Sequence, residues 1–115
     1  MKPKNFREGI LMMGKAFVPN EGKGINAIIE LRVTGDEPGI WHFVIDNGRC
    51  EVKEGKPALP SNLLMETRSD VWLKLMRGEL NGPEAFLGGQ AVASGDMALL
   101  LKFGRMFPQE QFDPE

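Results

Sequence analysis

Residues 26–52 read NAIIELRVTGDEPGIWHFVIDNGRCEV, and their alternation decides the fold class. From Asn26 to Thr34, Ala27, Ile29, Leu31 and Val33 alternate with Ile28, Glu30 and Arg32. A period of two is that of a half-buried strand. Gly35 to Gly39, with Asp36 and Pro38, has turn chemistry. Trp41, Phe43 and Ile45 then alternate with Ile40, His42 and Val44, and Asn47-Gly48 is a strong hairpin signal. Beyond it, Cys50 and Val52 fall in one phase and Arg49, Glu51 and Lys53 in the other. The stretch therefore predicts a three-stranded meander. One face carries Ile29, Leu31, Val33, Trp41, Phe43, Ile45, Cys50 and Val52.

Outward from this sheet, the pattern turns helical on both sides. Upstream, Phe6, Ile10, Met13 and Phe17 are spaced four, three and four apart, which is one face of a helix ended by Pro19 and Gly22. Downstream, Gly55 to Ser61 reads as a loop and Asn62 to Thr67 as a short fourth strand. Ser69-Asp70 is expected to cap a helix with Trp72, Leu75 and Met76 on one stripe, ended by Gly78. Asn81-Gly82-Pro83-Glu84 starts a second, short helix stopped by Gly88-Gly89. Gln90 to Ser94 reads as a strand of small residues whose core-facing side is Ala91 and Ala93. Asp96 then opens a helix with Met97, Leu100, Leu101, Phe103 and Phe107 on a broad apolar face, closed by Pro108. This order predicts an α+β layer, with helices covering the apolar face of the sheet.

Composition limits the function classes. The 115 residues make one domain, with residues 108–115 expected as a loose acidic tail. A net charge of −2 argues against nucleic acid as a partner. No uncharged apolar run reaches the ~18 residues of a membrane span, and the start MKPKNFREGI has no apolar signal core, so a cytoplasmic location is expected. One cysteine excludes an internal disulfide and a cysteine-based zinc site. Seven Met and no Tyr suit an adaptable apolar interior, but taken alone they favour an ordinary core.

Few residues point to catalysis. His42 is the only histidine, lies opposite Trp41 and Phe43, and has no partner at metal-ligand spacing. Cys50 is in phase with the core, which predicts an inert thiol. Neither GxGxxG nor GxxxxGK[ST] occurs, so no phosphate loop or cofactor site is expected. The run Met-Ala-Leu-Leu-Leu at 97–101 is apolar on more than one face. It fits a fully buried helix or a helix lining a cavity, and the alanines at 91 and 93 would leave space beside it.

Two stretches resemble a known family. GIWHFVIDNGRCEVKEG, residues 39–55, resembles the Trp-strand and hairpin of the sterol carrier protein-2 family. SDVWLKLMRGELNGPEAFLGGQAVASGDMALLLKF, residues 69–103, resembles that family's acid-containing helix start, Gly-x-Leu-x-Pro type link, Ala-Phe-x-x-Gly, short strand and apolar last helix. Leu75, Gly78, Leu80, Pro83, Ala85, Phe86, Gly89, Gly95, Asp96 and Leu101 stand in the matching places, and the resemblance covers about residues 4 to 107. It implies a five-stranded, mostly antiparallel sheet of order 3-2-1-4-5 with helices on one side and a hydrophobic tunnel between. It also implies non-catalytic binding of sterols, fatty acids, fatty acyl-CoA or phospholipids.

The functional expectation is binding and transfer of such a lipid, without cofactor or metal. Trp41 and Phe43 are expected as the sheet-side wall. Phe86, Met97, Leu100, Leu101 and Phe103 are expected on the helix side, joined by Trp72 and Met76. Each also fits plain core packing, because core and tunnel wall share one chemistry. Up to Gly24 the chain holds five Lys or Arg and two Glu. Lys2, Lys4, Arg7 and Lys15 either approach anionic membrane headgroups or form a solvated helix face. The alternative function is a ligand-free interaction module. Ile28, Ile40, Val44 and Leu64 would then form a patch on the second sheet face for a homodimer or for docking on a lipid- or acyl-CoA-handling enzyme. An enzyme pairing His42 with a carboxylate is the third class.

Overall fold

A computed structural model of the chain describes residues 2–108. The tail expected to be loose lies outside them, apart from Pro108. Five strands form one sheet in the order β3-β2-β1-β4-β5. They are β1 (Asn26–Thr34), β2 (Gly39–Asp46), β3 (Cys50–Glu54), β4 (Leu63–Arg68) and β5 (Ala91–Gly95). The β1–β2, β2–β3 and β4–β5 pairs are antiparallel, and β1–β4 is parallel. Helices α1 (Phe6–Ala16), α2 (Ser69–Met76), α3 (Gly82–Leu87) and α4 (Met97–Met106) complete the α+β fold. A single 3₁₀ turn, Pro19–Gly22, which the sequence pattern does not announce, links α1 to β1.

The register places the alternating residues as their period requires. Ile29 pairs with Phe43, Leu31 with Trp41 and Phe43 with Val52. Across the parallel pair, Ile29 lies beside Leu63 and Leu31 beside Met65. Ala91 and Ala93 face the same way, opposite Thr67 and Met65. This face forms the core with Phe6, Ile10 and Met13 of α1, Trp72 and Met76 of α2, and Leu99 and Met106 of α4. Burial of that much apolar surface is the main stabilising term, at about 25 cal/mol per Å².

The second face stays outside this core. Ile28, Ile40, Val44 and Leu64 share it, but each is half-buried, and Glu30, Arg32 and His42 stand among them. Glu30 is buried and holds Arg32 in an ion pair at 2.8 Å. The connection 55–62 has to pass from one edge strand across β2 and β1 to reach β4. Its start is fixed to this face, because the His42 Nδ1–H donates to the Gly55 carbonyl at 2.7 Å. Its end is fixed by Asn62, whose Oδ1 accepts the Ile28 N–H at 2.8 Å.

Local chemistry sets the turns and helix ends. Asn47 and Gly48 both have positive φ, 44° and 88°, as a two-residue hairpin twisted with its strands demands. Asn81 caps α3 by accepting the Glu84 N–H, and Asp96 caps α4 by accepting the Leu99 N–H. Ser69 departs from the expectation. It is the first helical residue of α2, Arg68 occupies the cap position, and the Ser69 Oγ accepts the Glu37 N–H at 3.1 Å. A tertiary partner on the β1–β2 turn has taken the hydroxyl that a local cap would have used.

Candidate cavity between the helices

The apolar stripes of α2, α3 and α4 do not close on one another. They leave a cavity of about 360 Å³, open to solvent on one side, against the core face of the sheet. Trp72, Leu75 and Met76 line it from α2, and Phe103, Gly104, Phe107 and Pro108 from α4 and its end. Asn81, Gly82, Pro83 and Phe86 line it from α3, while Met13 and Met65 close it from α1 and β4. Met13, Met65, Trp72, Met76 and Phe107 are buried, whereas Asn81, Pro83 and Gly104 are exposed. The space therefore runs from the core to a rim between α3 and α4. Its volume falls within the roughly 300–1,000 Å³ of small-molecule sites. It is more than twice the engineered cavity of about 150 Å³ that admits benzene.

Aromatic rings form the wall nearest the sheet. Phe103 lies 4.8 Å from Phe107 and 5.9 Å from Trp72, centroid to centroid. Phe43 underlies both phenylalanines, at 5.9 and 5.6 Å. Among the described residues no charged side chain lines the space, and its polar side-chain groups are the Asn81 amide and the Trp72 indole N–H. The Asn81 Oδ1 already accepts the Glu84 N–H. One buried polar atom stands out: the Trp72 indole N–H has no hydrogen-bond partner among the described residues. Among those residues, no three His, Cys, Asp or Glu side chains gather as metal ligands.

The structure brings together four of the nine residues expected as tunnel wall, Trp72, Met76, Phe86 and Phe103. Phe43 sits one layer behind them, fully buried. Trp41 lies elsewhere in the core, edge-on to Phe6 at 6.3 Å and under the Arg7 guanidinium at 5.3 Å. Leu100 is half-buried against the core without reaching the cavity. Met97 is 45% exposed and Leu101 79% exposed, on the outer side of α4. The phase of α4 explains this. Leu99, Phe103 and Met106 form the inward stripe at i, i+4 and i+7, which turns 97 and 101 away. Met13, Met65, Leu75, Asn81, Pro83 and Phe107 also line the cavity, and the sequence pattern does not mark them as its wall. Met13 was legible as part of the inward stripe of α1 and Pro83 as a helix start. Nothing local marks either as cavity wall.

Lys2, Lys4, Arg7 and Lys15 are all exposed, but Arg7 is engaged, with a guanidinium nitrogen 3.1 Å from the Glu54 carboxylate. Cys50 is half-buried, and burial together with the Glu51 charge pushes its thiol up to about 12. No helix among the described residues is long and apolar enough to cross a membrane.

Comparison with known proteins gives concordant matches. The model of the SCP-2 sterol transfer family matches residues 16–108. Hydroxysteroid dehydrogenase-like protein 2 of Xenopus tropicalis is 29% identical over 87 residues, which are 76% of this chain and 21% of the relative. The chain thus spans about a fifth of the length of the curated relatives it matches. The sterol carrier protein domain 2 of Helicoverpa armigera superposes with a TM-score of 0.72 at 20% identity, over 92% of this chain and 86% of that one. An inverting sec-alkylsulfatase from Pseudomonas sp. carries the same fold over 16% of its length, with a TM-score of 0.74, 14% identity and 87% of this chain covered.

Proposed function

The chain belongs to the SCP-2 sterol transfer family, and from that premise we propose that it is a non-catalytic, cytoplasmic carrier of a lipid held between α2, α3 and α4. The observation that carries the proposal is an apolar cavity of about 360 Å³ with no charged side chain in its wall among the described residues. Such a wall offers nothing to a nucleophile or a general base, and it favours hydrocarbon over water. Fatty acid, fatty acyl-CoA, phospholipid and sterol-like molecules all fit that description. Trp72, Met76, Phe86 and Phe103 are the proposed ligand contacts, with Phe43 and Leu100 as their backing.

The energetics suit a carrier. Sixteen carbons moved from water into an apolar site gain roughly 12 kcal/mol, at about 0.8 kcal/mol per methylene. Lost freedom on association costs about 4 kcal/mol or more. The difference, at most about 8 kcal/mol, corresponds to a Kd near micromolar, which permits release. Lys2, Lys4 and Lys15, exposed on and before α1, are the proposed transient contact with anionic membrane surfaces. A homodimer through the second sheet face has less support, because its apolar residues are half-buried and interrupted by the Glu30–Arg32 ion pair.

Gly104 provides the test. It lines the cavity from within α4, and a Cβ there meets nothing within 4 Å. The Cβ of Gly104→Leu meets no neighbour, and the rest of the leucine side chain is expected to occupy the cavity at its rim. The substitution also removes a helical glycine, which favours the helix by up to about 1 kcal/mol. The expected result is at least tenfold weaker binding of a fluorescent fatty-acid probe together with an equal or higher Tm. Unchanged affinity in the folded variant contradicts the proposed site.

A further inference from the structure

At the rim of the cavity the apolar surface continues outward onto α4. Gly104 and Pro108 line the cavity at the end of that helix. Met97 and Leu101 precede Gly104 by seven and three residues, so they share its side of the helix. They turn away from the core yet stay beside the mouth, with Leu101 79% exposed. On the other flank, α3 presents Leu87, next to the lining residue Phe86, at 90% exposure. Leu87 and Leu101 are the two most exposed large apolar side chains among the described residues, and both belong to helices that wall the cavity. A single exposed leucine is ordinary, whereas apolar side chains grouped at the rim of a site mark a contact surface. Charge completes the pattern. Lys102 and Arg105, one helical turn apart, form the stripe beyond Leu101; both are exposed, and neither joins an ion pair among the described residues. No Asp or Glu lies within α4, and Glu84, in the first turn of α3, is the one acid within the two helices.

We propose that the α4 side of the cavity mouth docks on a bilayer with anionic headgroups. Leu101 and Met97 enter the acyl boundary, and Lys102 and Arg105 meet the headgroups. This rests on the lipid-carrier reading and names the surface across which the cavity exchanges its lipid. A helix lying in a membrane interface buries its apolar side about 5–10 Å deep and carries Lys or Arg beside it. The order along α4 is the same, running from cavity wall to apolar lip to basic edge. Two apolar side chains and two cations give a shallow, reversible contact, which a carrier needs in order to leave again. A mouth held against the acyl chains lets a lipid pass without crossing water, where each exposed methylene costs about 0.8 kcal/mol. The lysines on and before α1 supply charge without such an apolar lip at the mouth, so the two surfaces are separable.

Flotation of the full chain with vesicles of phosphatidylcholine containing about a quarter phosphatidylglycerol is the test. Leu101→Glu is compared with Leu59→Glu, the same change at another exposed leucine, in the connection 55–62 on the other side of the sheet. Leu101→Glu is expected to weaken vesicle binding about tenfold, Leu101→Ser about threefold, and Leu59→Glu less than about twofold. Affinity for a fluorescent fatty-acid probe in vesicle-free buffer is expected to stay unchanged in all three, which reports both folding and an intact cavity. Should Leu101→Glu lose the probe as well, Leu101→Ser, which adds no charge, decides. Loss of the probe in that variant too places Leu101 in the cavity wall and overturns the docking role. Equal vesicle binding by Leu101→Glu and Leu59→Glu overturns the inference, and leaves the α1 lysines as the membrane contact and the carrier reading intact. A dimer of the unaltered chain that Leu101→Glu separates also overturns it and assigns this face to a second copy. An unaltered chain that takes up the probe but does not float overturns the inference alone, and one that does neither overturns both.

Discussion

Gly95 shows how one residue can decide whether an edge of the sheet forms. It ends β5 with φ of 107°, and a Cβ there would lie 2.5 Å from the Asn62 carbonyl oxygen. Backbone lies on the far side of that contact, so nothing flexible can yield. Gly95→Ala is expected to destabilise the chain by about 2–4 kcal/mol, from backbone strain and overpacking together. A denaturant midpoint equal to that of the unaltered protein would contradict this. Cys50 makes a prediction in pH. Its folded thiol lies near 12, against about 8.5 for an unfolded cysteine. Between those values the folded state keeps a proton that the unfolded state has released. Stability therefore falls as pH rises above about 8.5. From pH 8 to 10, the denaturation midpoint is expected to fall further for the unaltered chain than for Cys50→Ala. Equal falls would show that Cys50 has no part in it. In the folded protein at pH 8, alkylation of Cys50 is expected to be about a thousandfold slower than that of free cysteine.

At the level of elements, the helices differ in how legible they were. Strand facing is legible, because residues such as Leu31 and Trp41 obey a period of two, Leu31 with Glu30 and Arg32 on either side. The caps of α3 and α4 were equally readable, since Asn81 and Asp96 act three residues ahead in the chain. The phase of α4 was not. Met97, Leu99, Leu100, Leu101, Phe103 and Met106 are all apolar, so several stripes compete and only packing on the sheet selects Leu99 and Met106. The start of α1 was hidden for a different reason. Glu37, from the β1–β2 turn, accepts the Phe6 and Arg7 N–H groups at 2.9 and 3.1 Å, a cap from some thirty residues away. Glu37→Ala removes two charge-assisted bonds from the positive end of the helix. It is expected to cost about 1–2 kcal/mol, measurable by denaturant unfolding. No change would mean that Asn5, whose Oδ1 accepts the Glu8 N–H at 2.8 Å, suffices alone as cap.

The whole molecule poses a harder reading problem than its parts. Hydrophobic patterning predicts which residues are inside, but a filled core and a cavity wall use the same side chains. Trp72, Met76, Phe86 and Phe103 were expected at the site and line the cavity, whereas Trp41 is interior and remote from it. The difference lies in where three helices fail to meet, which no local spacing encodes. That gap, walled by α2, α3 and α4 and lined by no charged side chain among the described residues, is the basis of the proposed carrier function. Native mass spectrometry of the freshly purified chain, followed by solvent extraction, tests it most directly. The account predicts a retained mass of a few hundred daltons, on the scale of one lipid, that extracts as lipid and is lost in Gly104→Leu. A bare chain mass, with no uptake when fatty-acid or ester probes are added, would contradict it.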